Sequence, residues 1–222
     1  MRQARKSTPR PRPRTRPARR PQQRSLDTRE RLVEAALHVF AEHGFEGATT
    51  REIARRAGVA LAALPYHFET KQALWRAAAD RIFGLLGETF QKRLAGLEGV
   101  DTPTRLRLLL RDFVRFQARH PELHRFMIQE GIGKSPRQAW LVEKHIRPMY
   151  DFVRTTVEAA QRAGMAPLGR PEHIHYMLIG AASSAYALAA EFELLTGRAP
   201  SEEPLVAEHV ATLERLFFRE TS

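Results

Sequence analysis

The sequence contains no cysteine, no long uninterrupted apolar run and no acidic residue among its first 24 positions. Without cysteine, disulfides, thiolate metal sites and cysteine nucleophiles are excluded. The longest apolar stretch, around Tyr176 to Ala190, is interrupted by Ser183 and Ser184 and is shorter than the ~20 residues of a membrane span. We expect it to be a buried helix. We also expect no secretion signal, because the basic N-terminal stretch is not followed by an apolar run.

Positive charge is concentrated at the N-terminus. The chain has 36 Lys or Arg, 25 Asp or Glu and a net charge of +11, and residues 1–24 hold ten of the basic residues. The other basic residues nearly balance the acids. Five prolines in the same segment remove backbone donors, so we expect residues 1–24 to be a disordered basic arm. Such an arm favours a polyanionic partner, nucleic acid first and an anionic membrane second.

From Ser25 onward the apolar residues recur at helical spacing, and the sequence shows no convincing strand pattern. The predicted fold is therefore all-α. The predicted helices run about 27–44, 50–57, 60–67, 71 into the 90s, 102–120, 121–131, 136–164, 171–197 and from 204 onward. Asp27 and Glu30 have the spacing of a capping box for the first helix. Thr49, Thr70, Asp101 and Ser135 are predicted caps of later helices. Pro148 is expected to kink the seventh helix.

Residues 28–75 have the spacing of a helix-turn-helix. Two short helices are joined by a tight turn, and Gly58 supplies the left-handed backbone that such a turn needs. In this geometry the second helix of the pair enters a major groove, while Thr50 and Arg51 can reach backbone phosphate. The alternative interpretation of these residues is a generic helical bundle.

The same residues resemble the DNA-binding domain of TetR-type (TetR/AcrR) transcriptional regulators. The matching positions are Ala35-Ala36, Phe40, Gly44-Phe45, Thr49-Thr50, Ile53-Ala54, Ala57-Gly58-Val59, Tyr66-His67-Phe68 and Lys71. Beyond residue 75 the likeness is limited to overall length and helical layout. The resemblance implies a set of DNA-contacting residues. They are Thr50, Arg51, Tyr66, His67 and Lys71 at phosphates, and Ala60, Leu61, Ala62 and Ala63 at base edges. Phe68 would be a core residue.

The predicted reading helix departs from the family's pattern. Ala60 stands where a small hydroxyl residue usually caps the helix, and the reading face is Ala-Leu-Ala-Ala. Pro65 is expected to delete one late helical hydrogen bond. Because no side chain here can make a bidentate base contact, we expect specificity to depend on thymine methyl groups, DNA shape and the flanking arms.

The resemblance also implies a C-terminal bundle that binds a small, often hydrophobic effector and forms a homodimer. The candidate pocket residues are Phe113, Phe116, Met127, Trp140 and Tyr176. Each of them is more often plain core in such a bundle. Small residues over 180–185 and an apolar stripe in the last helix predict a four-helix dimer interface, with intramolecular packing as the alternative. The stripe consists of Val206, Val210, Leu213, Leu216 and Phe217.

Features of enzymes and metal sites are missing from the sequence. His173 and His175 are two positions apart on a helix, so they point to different sides. No glycine-rich phosphate loop, nucleophile elbow or metal-ligand cluster is found. We therefore expect no enzymatic activity, no metal and no cofactor.

These observations predict three segments: a basic arm (1–24), a helix-turn-helix domain (25–72) and an effector-binding and dimerisation domain (73–222). The expected protein is a cytoplasmic bacterial repressor that binds a near-palindromic double-stranded DNA operator as a homodimer. A small-molecule effector would release it through the fourth helix, where Gly84 and Gly87 are candidate bending sites. The alternatives are an effector-independent architectural or activator protein and, through the tail, a membrane-surface protein.

Overall fold

Helices make up all the regular structure in the computed structural model, which describes residues 21–164 and 169–218. The α-helices in these ranges are α1 (Pro21–Gly47), α2 (Thr50–Ala57), α3 (Leu64–His67), α4 (Lys71–Ala95), α5 (Thr102–Arg119), α6 (Glu122–Gly131), α7 (Pro136–Leu141), α8 (Arg147–Arg162), α9 (Pro171–Ala187), α10 (Ala189–Thr196) and α11 (Glu203–Phe217). A 3₁₀ turn (Leu61–Ala63) precedes α3, and a π turn (Val142–Ile146) joins α7 to α8. The predicted all-α class is confirmed.

Helix α1 begins earlier than the sequence pattern predicted. It starts at Pro21 instead of Asp27, and within it Gln23 Nε2 donates to Asp27 Oδ1 at 3.1 Å. A proline fits the first turn because its missing N–H has no partner to lose there. The predicted start at Asp27 is wrong, and residues 21–24 of the predicted arm form the first turn of α1. Residues 1–20 of that arm lie outside the described residues.

Gly44 interrupts α1 where the sequence predicted its end. Its φ is 67° and its ψ is 178°, and one further turn leads to Gly47. An added Cβ at Gly44 would lie 2.9 Å from Gln129 Oε1 of α6. Gln129 is exposed and its side-chain end could move aside, so it is the positive φ that calls for glycine here.

The four later helix caps predicted from the sequence are confirmed. In each, a side-chain oxygen accepts a hydrogen bond from the backbone N–H three residues ahead, which satisfies a donor that the helix leaves free. The accepting residues and N···O distances are Thr49 at 3.1 Å, Thr70 at 3.0 Å, Asp101 at 2.9 Å and Ser135 at 3.0 Å.

Two long C-terminal helices predicted from the sequence are divided in the structure. The π turn ends at Ile146, two residues before Pro148, which has no N–H to donate to the carbonyl of Lys144. The helix is therefore irregular near Pro148, where the sequence predicted a kink. The helix predicted over 171–197 bends by 69° between α9 and α10. Arg125 Nε donates to the Ala187 carbonyl at 2.8 Å, where the helix would otherwise continue.

No single helix in the described ranges is long and apolar enough to cross a membrane. Helices α9 and α10 meet the length and composition criteria only as a pair, across their bend. Within α9, Ile174, Ala182, Ser183 and Tyr186 are buried.

The apolar stripe of α11 packs inside the chain. Helix α11 contacts α5 and α9, and Val206, Val210 and Leu213 are at most 4% exposed. Leu216 is 67% exposed. The predicted use of this stripe in a dimer interface is therefore wrong for its three buried residues, and the intramolecular alternative holds for them.

One apolar core joins the N-terminal and C-terminal helices. Helix α1 packs against α2, α4 and α6, while α5 and α9 pack against each other and against neighbouring helices. The predicted domain boundary between residues 72 and 73 falls inside α4, so both predicted domains share this helix.

We expect the free energy of unfolding to decrease as the pH falls below about 6.5. Burial lowers the pKa of His124, His145, His175 and His209 below the ordinary value of 6.5, and for His145 this effect outweighs that of Asp80. The unfolded chain therefore takes up protons at a higher pH than the folded chain does. Stability present above pH 6.5 is lost on acidification toward the lowered pKa values.

Urea unfolding at pH 7.5 and pH 5.5 measures this effect, with a lower midpoint expected at pH 5.5. Replacing His124 by Gln should weaken the dependence. Equal midpoints at both pH values would contradict the prediction.

Candidate functional site

The helix-turn-helix is built from α2, a tight turn at Gly58 and the 3₁₀–α3 segment. Gly58 has a φ of 62°, as predicted, and its N–H donates to the Arg55 carbonyl at 3.1 Å. The N–H of Val59 donates to the Ala54 carbonyl at 3.0 Å. Ile53 of α2 and Leu64 of α3 are buried, and their packing fixes the two short helices against the core.

The 3₁₀–α3 segment, which we call the reading segment, is not the continuous α-helix predicted over 60–67. Leu61–Ala63 form a 3₁₀ turn, and α3 begins at Leu64. Pro65 has no N–H to donate to the Leu61 carbonyl. The N–H of Leu64 donates to that carbonyl instead. Pro65 therefore lies in the first turn of α3, and the predicted loss of a late helical bond is wrong. Ala60 makes no side-chain cap, as its sequence indicated.

The surface of the reading segment is apolar with one exposed aromatic side chain. Ala60, Leu61 and Ala62 are exposed, Leu61 at 44%, whereas Ala63 is half-buried. Tyr66 is 83% exposed, and its ring meets that of His67 edge to face at 5.3 Å. This surface offers methyl and methylene groups together with one phenol hydroxyl.

Arg51 is the exposed cation at the start of α2 without an ion pair in the described part of the chain. Arg55 is held by Glu52 at 2.6 Å, which lowers the pKa of that carboxyl, and Arg56 is held by Glu42 at 2.7 Å. Thr50, the first residue of α2, is half-buried. Of the cations on α2, Arg51 is thus the one available to a phosphate.

Lys71 begins α4 and contacts the end of α1. Its Nζ lies 4.6 Å from the centre of the Phe45 ring and donates to the Glu46 carbonyl at 3.4 Å. The predicted phosphate contact of Lys71 would therefore compete with a cation–π contact that ties α4 to α1. Phe68, predicted as core, is 5% exposed.

An aromatic and ionic cluster joins the helix-turn-helix to the C-terminal helices; we call it the junction cluster. Its members are Phe45, Trp75, Phe126, Glu130, Arg137 and Trp140. The Arg137 guanidinium lies 3.7 Å from the centre of the Phe45 ring and 3.7 Å from Glu130 Oε2. Glu130 is 6% exposed, and burial raises its pKa against the opposing effect of Arg137.

An apolar cavity lies among α4, α5, α8, α9 and the end of α11. Its volume is about 120 Å³. Its lining residues are Phe90, Leu106, Leu109, Leu110, Phe113, Met149, Phe152, Val153, Thr156, Val157, Ala160, Ile174, His175, Leu178, Ile179, Phe217 and Phe218. A concave site with a mostly apolar wall and few polar groups is typical of small-molecule binding.

Of the five candidate pocket residues, the cavity contains only Phe113. Phe116 packs against His120 on the neighbouring face of α5, with ring centres 4.6 Å apart. Met127 packs against the core from α6, and Trp140 belongs to the junction cluster. Tyr176 is 72% exposed. The other lining residues of the cavity are spread over several helices, and no local sequence signal marks them.

Within 21–164 and 169–218, no three His, Asp or Glu side chains come together as metal ligands would.

Comparison with known families matches residues 32–78 to a family described as "Bacterial regulatory proteins, tetR family". The match spans α2, α3 and the adjoining parts of α1 and α4. It therefore coincides with the helix-turn-helix geometry described above.

Curated relatives extend the likeness beyond this segment. The HTH-type transcriptional regulator RutR of Escherichia coli is 26% identical over 191 residues, which cover 83% of this chain and 86% of RutR. YttP of Bacillus subtilis is 28% identical over 105 residues, and this match spans 51% of YttP. A solved structure of AibR in complex with isovaleryl coenzyme A and operator DNA is similar in fold, with a TM-score of 0.65, 17% identity and coverage of 86% of this chain and 98% of AibR.

We expect Arg137→Ala to lower the free energy of unfolding by about 1–3 kcal/mol, because Glu130 would stay buried without its cation. Phe45 would also lose the guanidinium above its ring. Adding Glu130→Gln should recover part of the loss, since the amide carries no charge. Urea unfolding of the two single variants and the double variant measures the effect.

Arg147→Ala is the matched control. Arg147 and Glu143 form an exposed pair at 2.7 Å, four residues apart, so its loss should leave the free energy of unfolding nearly unchanged. Equal losses for Arg137→Ala and Arg147→Ala would contradict a stabilising role for the junction cluster.

Proposed function

We propose that the chain is a homodimeric DNA-binding repressor of the TetR type that leaves its operator when a small apolar molecule fills the cavity. The match of residues 32–78 to the tetR family of bacterial regulatory proteins and the similarity to RutR support this proposal. One observation carries the proposal. Helix α4 begins directly behind the reading segment at Lys71 and contributes Phe90 to the wall of the cavity. The two sites are thus linked by a single unbroken helix.

At the DNA end, each subunit of a two-fold dimer presents its reading segment to one of two successive major grooves. These grooves lie about 34–36 Å apart, so the operator is a near-palindrome. Arg51 and Thr50 bind phosphate beside the groove, and Tyr66, His67 and Lys71 do so from the other side. Ala60, Leu61, Ala62 and Ala63 face the base edges and contact thymine methyl groups.

At the ligand end, a molecule in the cavity contacts Phe90 and displaces the C-terminal half of α4. From Lys71 to Phe90 the helix spans about 28 Å, so a small tilt at one end moves the reading segment at the other. Ligand and DNA then weaken each other's binding by the same factor.

Gly84 and Gly87 lie between the two ends of α4, and a Cβ at either would meet nothing within 4 Å. Packing therefore does not require glycine at these positions, which supports their proposed role in bending. Replacing both by Ala should preserve operator binding and reduce the response to ligand. An unchanged response would remove the bending role.

The segment assignment follows the same scheme. Residues 25–72 bind DNA, and residues 73–222 bind the effector and form the dimer. Residues 1–20 of the predicted arm reach neighbouring phosphates, since residues 21–24 belong to α1. The protein acts in the cytoplasm, where the bacterial chromosome lies, and catalyses no reaction.

We expect affinity for the selected operator to fall when the contacted thymines are replaced by uracils, because Leu61 and its alanine neighbours would lose the methyl groups they touch. The operator is first obtained by selecting bound duplexes from a random pool. Titrations with the thymine and uracil duplexes then measure the change, which we expect to be several-fold. If selection enriched no duplex, the proposed function itself would be wrong.

The Leu61→Ala variant supplies the matching test on the protein side. Leu61 is 44% exposed, so truncation should not disturb the fold, and the preference for thymine over uracil should shrink. Ile132→Ala removes an 80% exposed side chain that lies just after α6, outside the reading segment, and should leave that preference unchanged. Retention of the full preference in Leu61→Ala would argue against methyl readout through Leu61.

Deleting residues 2–20, which leaves α1 intact, should reduce the salt dependence of operator binding. Each phosphate contact that the nine basic residues of this segment supply adds about 0.9 to the slope of log affinity against log salt concentration. Titrations at several salt concentrations, on the full chain and the deletion, measure the slopes. Identical slopes would show that the arm does not bind DNA.

A further inference from the structure

Within residues 21–164 and 169–218, no charged side chain lines the wall of the cavity. Of its seventeen lining residues, only Thr156 and His175 are polar. The Thr156 hydroxyl donates to the Phe152 carbonyl of its own helix at 2.6 Å, so its proton is already used. A carboxylate or phosphate placed against this wall would lose its hydration without gaining a partner, which costs several kcal/mol or more.

His175 is the polar group of the wall that remains available. The side chain is 5% exposed, and its Nδ1 is buried without a hydrogen-bond partner in the part of the chain that the structure describes. The ring is fixed in place, since its edge-to-face contacts with Tyr150 and Tyr176 have ring centres 5.1 and 5.3 Å apart. Buried polar atoms are nearly always hydrogen-bonded, so an unpaired one beside a cavity indicates a missing partner.

We propose that the effector is an uncharged, largely hydrocarbon molecule with one hydroxyl or carbonyl group, and that this group forms a hydrogen bond with His175. The inference rests on the proposed function, which gives the cavity its ligand. Burial lowers the pKa of His175, so the ring is neutral at pH 7.5 and offers one donor and one acceptor. Either a hydroxyl or a carbonyl therefore completes the hydrogen bonding of the site.

Probes that share a chain length and differ in one end group separate the effect of charge on affinity from the effect of hydrogen bonding. Calorimetric titrations of the full-length protein at pH 7.5 would use 1-hexanol and 1-decanol, the carboxylates hexanoate and decanoate, and the chloroalkanes 1-chlorohexane and 1-chlorodecane. We expect the better alcohol to bind at least about tenfold more tightly than the carboxylate of equal length. Equal or tighter binding of the carboxylate would overturn the proposal.

The role of His175 is tested by the ratio of alcohol to chloroalkane affinity. In His175→Phe this ratio should fall by about 2- to 10-fold, the value of one net hydrogen bond, and His175→Gln should restore part of it. Loss of packing alone would weaken both probes equally and leave the ratio unchanged, which would overturn the hydrogen bond. His173→Gln changes an exposed histidine of the same helix, so it should alter neither affinity.

Operator titrations distinguish this inference from the proposed function. If the alcohol binds more tightly than the carboxylate as expected and its binding does not change the operator affinity, the ligand class stands and effector-driven release is wrong. If none of the probes binds while the protein still binds its operator, the ligand class is wrong and DNA binding stands. Each variant is first checked for intact operator binding, which reports on folding.

Discussion

The buried indole of Trp75 links α4, the helix that also reaches the cavity at Phe90, to α6, α7 and the end of α1. It is fully buried near the start of α4, stacks on Phe126 with ring centres 5.3 Å apart, and meets Trp140 at 5.7 Å and Phe45 at 6.5 Å. These partners belong to α6, α7 and the end of α1, so four elements share one contact. A close-packed cluster does not deform gradually, and α4 therefore moves together with its neighbours or not at all.

Interactions that are local in sequence could be predicted, and those that depend on distant residues could not. Thr49 and Ser135 cap helices through an N–H three residues away, and the left-handed turn at Gly58 depends on its own backbone. By contrast, α9 ends where the Ala187 carbonyl accepts a hydrogen bond from Arg125, 62 positions away. No periodicity in the sequence of α9 reveals that contact, so one long helix was predicted.

The same dependence on distant residues explains why the residues that line the cavity could not be predicted from the sequence. Trp140 and Phe113 are both aromatic residues on amphipathic helices, and the sequence offers no basis for separating them. In the fold, Phe113 lines the cavity and faces Phe90 at 6.4 Å, whereas Trp140 turns toward Trp75 and receives Arg76 on its ring at 5.2 Å. Which aromatic residue lines a cavity is decided by how the helices cross, and this depends on the whole core.

Because the reading segment contacts bases mainly through methyl groups in the proposed complex, the distance between the reading segments of the two subunits matters more than in regulators that contact bases through polar side chains. Contacts between methyl groups are non-directional, and they lack the roughly 1–3 kcal/mol of discrimination that a bidentate side chain brings to one base pair. In the proposed complex, discrimination therefore depends on placing Leu61 and its neighbours at the correct distance in both half-sites, in addition to DNA shape and the flanking arms. We propose that helix α4 sets that distance, since only three residues separate it from α3 and it is anchored at Trp75. A ligand that tilts α4 would thus change the distance between the two reading segments, by which this protein would recognise its operator.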